Sequence, residues 1–115
     1  MVISFCYGDH VESCIIFALH VKALNKLIQG DTTFEAGLDV GEEPEATLKH
    51  ATYLAGISQN QLLVSHRAQG NCKALGNESF QLKTINHTLI EEGKVFIAEE
   101  VDNLIMEKTL KFLKL

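Results

Sequence analysis

The chain has 115 residues, of which 46% are hydrophobic and 22% charged, with a single proline. That is one domain's length at a globular balance, and it excludes intrinsic disorder, a coiled coil, a collagen repeat and a disulfide-rich scaffold. Fifteen acids against ten bases leave a formal charge of −5; with Arg67 as the sole arginine there is no basic patch to hold phosphates, which argues against a nucleic-acid binder.

Residues 2–7 read as a short buried strand ended by Gly8. Asp9 then suits an N-cap with Glu12 at the capping-box position, and a helix follows from His10 to Gln29, with Gly30 as its stop. Residues 33–40 alternate: Phe34, Ala36, Leu38 and Val40 point one way, Glu35, Gly37 and Asp39 the other. The expectation is a strand with one wet face. Pro44, at the first position of the next helix, sits among Glu42, Glu43 and Glu45, which suit its positive end. That helix runs to about Ala55 and is expected to bury Leu48, Ala51, Leu54 and Ala55, stopping at Gly56.

Gln61 to Arg67 reads as a third strand and 69–78 as a loop rich in turn residues. Ser79–Ile90 and Lys94–Glu99 read as a hairpin about Glu92-Gly93, and an amphipathic helix closes the chain. The order β-α-β-α-β-β-β-α implies a single α+β domain over residues 1–115, with a mixed sheet of about five strands and three helices packed against it.

Charge is unevenly placed. Residues 1–60 carry eight acids and three bases, whereas 61–115 carry seven of each. No Lys or Arg falls between Lys26 and Lys49, a stretch that holds Asp31, Glu35, Asp39, Glu42, Glu43 and Glu45. A merely soluble face mixes its signs, whereas a one-signed field speeds association with a partner of opposite charge. Three cysteines without a repeated spacing suit a reducing compartment. The first residues lack a signal peptide's basic start, and the longest apolar run, Cys14–Leu19, is six residues. The expectation is a cytoplasmic protein without a membrane segment.

The residues that could carry chemistry are few. Cys6, His10 and Cys14 have a C-x3-H-x3-C spacing, soft ligands for zinc, but Gly8-Asp9 interrupts the helix that would align them and no fourth ligand is near. No metal or other cofactor is therefore expected. Cys72, beside Lys73, with His66 and His87 on flanking strands, has the minimum for a cysteine nucleophile, though no hydrolase signature accompanies it. The leading reading is a non-catalytic acidic binding protein that docks or neutralises a basic protein partner, in the manner of an immunity or antitoxin-type inhibitor of a toxin nuclease. Asp31, Glu35, Asp39, Glu42, Glu43 and Glu45 are its expected contact residues. The alternatives are a small enzyme using Cys72 with His66 or His87, and a homodimeric interaction module.

Overall fold

The computed structural model describes residues 2–5, 11–29, 34–70, 72, 80–85, 95–101 and 104–113. Five strands and four helices follow in the order β1 (Val2–Phe5), α1 (Val11–Gln29), β2 (Ala36–Val40), α2 (Pro44–Gly56), β3 (Leu62–Ser65), α3 (His66–Gly70), β4 (Phe80–Thr84), β5 (Val95–Glu100) and α4 (Leu104–Leu113). The strands form one mixed sheet, β1-β2-β3-β5-β4. β1, β2 and β3 are parallel, and β5 runs antiparallel between β3 and β4. The α+β domain with a mixed five-stranded sheet is the architecture the pattern implies; the addition is α3.

The sheet's two faces are covered by different helices. Ala36, Leu38 and Val40 of β2, with Leu62 and Val64 of β3, join Val11, Ile15, Ala18 and Leu19 of α1 and Ile105 of α4 in the larger core. Alternation along each strand then turns Gly37, Asp39, Leu63 and Ser65 to the other face. There α2 lies across β1, β2 and β3, with Leu54 packed on Leu63 and Val95. The two β-α-β crossovers step the same way across the sheet yet leave α1 and α2 on opposite faces, so they have opposite hands. Right-handed crossovers are the rule in about 98% of cases, which makes one of these two the rare kind.

This covering corrects two expectations. β2 is an interior strand, and all five of its residues are buried. The face expected to be wet is the one that receives α2, and Gly37 is what lets it approach. A Cβ there would lie 2.1 Å from the Ala51 carbonyl oxygen and 2.6 Å from the Ala55 amide nitrogen. In α2 the buried positions are Thr47, Ala51, Leu54 and Ala55, and Leu48, expected in the core, is exposed. β3 is shorter than expected because Ser65 turns the chain: its hydroxyl accepts the Ala68 amide at 3.1 Å, which caps α3.

Candidate functional site at the carboxyl end of β2

The chain leaves β2 toward α2 on one face, while the chain leaving β3 enters α3, whose Ala68 packs into the core on the other face. Adjacent parallel strands whose continuations part in this way open a crevice at their carboxyl ends, the place where open α/β sheets seat their ligands. Here the crevice is filled by the protein's own polar network, centred on Asp39.

Asp39 is fully buried. Its Oδ1 accepts the Val40 amide at 2.8 Å and the Ser65 hydroxyl at 2.5 Å. Its Oδ2 accepts Nη2 of Arg67 at 2.6 Å and Nδ1 of His50 at 2.8 Å. Burial pushes the carboxyl pKa up, but the hydrogen bonds from Ser65, Arg67, His50 and Val40 outweigh it and hold the group below its ordinary value. An ionised carboxylate only accepts, so His50 carries its proton on Nδ1 and turns Nε2 away from Asp39. The partners come from three elements: Ser65 ends β3, Arg67 lies on α3 and His50 lies on α2. One carboxylate therefore ties the ends of β2 and β3 to both following helices. The side chains of His50 and Arg67, 42% and 55% exposed, form its rim.

Gly41 continues this packing. A Cβ on it would lie 2.6 Å from Thr47 Oγ1 and 2.9 Å from Arg67 Nη1, so Arg67 reaches Asp39 across a position that has no room for a side chain. Thr47 is buried, its hydroxyl donates to the Glu43 carbonyl at 2.7 Å and its amide to the same oxygen at 2.9 Å. Pro44 opens α2. The junction 41–45 is thus held from both ends, and Glu42, Glu43 and Glu45 are exposed on it. The positive end of α2 favours acids at this point. Among the described residues none of the three forms an ion pair.

The expected acidic residues therefore divide. Asp39 is a buried anchor and has no surface to offer a partner, because Arg67, 28 residues on, folds back to neutralise it. Glu35 is exposed but stands beyond the opposite end of β2 from the other glutamates. Asp31 lies outside the described residues. Sequence reasoning missed His50, Ser65 and Arg67 altogether as members of a site.

Of the candidates for a cysteine nucleophile, the described Cys72 and His66 are not hydrogen-bonded to each other. Cys72 is partly buried, its Sγ 3.8 Å from the Ala68 carbonyl. Burial first, and the nearby charge of Glu12 second, raise its pKa above the ordinary value. His66 is exposed and stacks on Phe96 with ring centroids 6.5 Å apart. It makes no hydrogen bond to Cys72, and His87 lies outside the described residues. Cys72 should accordingly react with iodoacetamide at pH 7 several-fold more slowly than free cysteine. A faster reaction would show an activated thiolate.

Of the zinc candidates, Cys6 and His10 lie outside the described residues. Cys14 packs against the core, and burial raises its pKa as well. Among the described residues no group of three His, Cys, Asp or Glu side chains is placed to hold a metal, and no helix is long and apolar enough to cross a membrane. No protein family matches the chain, and neither a curated protein nor a solved structure matches it.

Proposed function

We propose that the chain is a non-catalytic binding protein that docks a basic macromolecular partner on the β2–α2 junction, through Glu42, Glu43 and Glu45. The observation that carries this reading is that three adjacent glutamates are exposed and unpaired on a segment fixed by Asp39 and Thr47. A fixed segment loses little conformational entropy on binding, so more of the attraction appears as affinity. The Asp39–Arg67 pair cancels internally, and the three carboxylates outnumber Lys49, the nearby base on α2, so the local field is negative. Such a field raises association rates by about tenfold or more and weakens as salt rises. An immunity-type inhibitor facing a basic toxin is one form this function takes.

The test compares two variants of equal charge change. Against a fluorescent deca-arginine peptide at low ionic strength, Glu42→Lys/Glu43→Lys/Glu45→Lys should lose at least about tenfold in affinity. Glu99→Lys/Glu100→Lys/Glu107→Lys, reversed elsewhere on the surface, should lose less than about threefold. Equal losses would mean that only net charge matters, and the junction would have no special role.

A further inference from the structure

The outer side of α1 is unusual for a helix in water. α1 buries Val11, Ile15, Ala18, Leu19 and Ala23 against the sheet. At about 100° per residue, Phe17, Val21, Leu24 and Ile28 form a second stripe, exposed at its two ends and half-buried at Val21 and Leu24, with Val21 reaching the edge of the core. Phe17 and Ile28 are 62% and 64% exposed, and the stripe runs about 16 Å along the helix. Its neighbours around the helix are Ser13, Cys14, His20, Asn25 and Leu27, and no Asp, Glu, Lys or Arg is among them. Solvent-facing sides of helices are ordinarily charged, and an apolar patch of this kind marks an interaction surface.

Beside the stripe, between α1 and α4, lies a groove of about 370 Å³ whose apolar walls are Phe17, Val21, Leu24 and Phe112, with His20, Thr109 and Lys108 completing it. Phe112 itself is 72% exposed. The groove's other wall is fixed: the Thr109 hydroxyl donates to the Ile105 carbonyl at 2.8 Å and so accepts from Nδ1 of His20 at 3.0 Å. That bond locks α4 against α1 and gives the groove a set shape.

The spacing 17, 21, 24, 28 alternates steps of four and three, the seam by which one helix packs along another. It is also self-complementary. The pairs Phe17/Ile28 and Val21/Leu24 share one midpoint, between Lys22 and Ala23, so a single twofold axis there places Phe17 against Ile28 and Val21 against Leu24 of an antiparallel second copy at once. An isologous contact needs this property, since every residue meets the partner's counterpart about the axis. The α1 flanks carry no charge and so add no like-charge repulsion, Lys108 of α4 being the one charged residue lining the groove, and Ile28 of the second copy arrives at the Phe17 end of that groove. We propose that this face binds a second copy of the chain, α1 antiparallel to α1, to form a twofold dimer. The surface is separate from Glu42, Glu43 and Glu45, and the two proposals stand or fall independently.

Sedimentation equilibrium on the full chain, from about 5 to about 200 µM, should show a monomer–dimer equilibrium. Ile28→Glu should weaken it at least about 30-fold, with the circular dichroism spectrum unchanged because the side chain is already in solvent. Phe17→Glu should do the same. The combined Phe17→Glu/Ile28→Lys variant should regain association, because the introduced acid and base face each other only in the antiparallel register. A monomer throughout that range overturns the proposal, including one that binds phospholipid vesicles instead. So does a dimer indifferent to Ile28→Glu, or a combined variant that stays dissociated.

Discussion

Asp39→Ala should lower the free energy of unfolding by about 3 to 5 kcal/mol, because removing one partner of a buried network strands the rest. The variant deprives the Ser65 hydroxyl, the Val40 amide, Arg67 and His50 of their common acceptor. Arg67 and His50 can turn to water, since their side chains are 55% and 42% exposed, so the buried Ser65 and the junction it steadies bear most of the cost. For a domain whose whole stability is about 5 to 15 kcal/mol, this is a large share. Urea denaturation measures it, and a loss under about 1 kcal/mol would show that the network is ornamental.

The same group sets an acid limit. The folded carboxyl is held below its ordinary value, so near that value the unfolded chain binds more protons than the folded one. The stabilisation is complete above about pH 4 and drains away as pH falls toward the folded value. Asp39→Asn should therefore flatten the fall in stability below about pH 4.

Gly37→Ala should be nearly as damaging, although it adds one methyl group. The added Cβ would stand 2.1 Å from the Ala51 carbonyl oxygen, 2.6 Å from the Ala55 amide and 2.8 Å from Leu54 Cβ. Two of those contacts are helix backbone, so no rotamer relieves them and α2 must lift from the sheet. Overpacking of this kind costs about 3 kcal/mol. Gly56→Ala is the matched control. A Cβ at Gly56 meets nothing within 4 Å, and the change should be neutral or slightly stabilising. Thermal unfolding that leaves both variants at the wild-type midpoint would contradict the close approach of α2 to β2.

Local periodicity made the strands and helices legible, and it placed Ala36, Leu38 and Val40 correctly in the core. It misled on the opposite face of β2, because Gly37 and Asp39, in step with the exposed Glu35, look wet to any reading that sees only neighbours in sequence. The small residues Ala51 and Ala55 of α2 were the available sign that Gly37 would receive a helix. Nothing local announced Asp39. Its side-chain partners stand 11, 26 and 28 residues away, and an acid becomes an anchor only when the topology brings Ser65 across from β3 and Arg67 from α3.

Ser65 carried a readable signal, for a serine three residues before Ala68 is a natural helix cap, yet the apolar run Leu62–Val64 made a longer strand the simpler reading. Leu48 was assigned to the core by spacing, but Thr47 holds the inward position because its hydroxyl finds the Glu43 carbonyl. The exposed glutamates were legible from charge alone. Their rigid seat was not, since it depends on Asp39 being buried.

The most direct test of the binding reading is to titrate the isotope-labelled chain with the deca-arginine peptide and follow its backbone amide resonances at low and moderate salt. Shifts should concentrate on Gly41 to Lys49, with Arg67, which lies against Gly41, responding as well, and they should vanish as salt rises. Shifts spread evenly over all acidic surfaces, or gathered on α1 and α4, would contradict it.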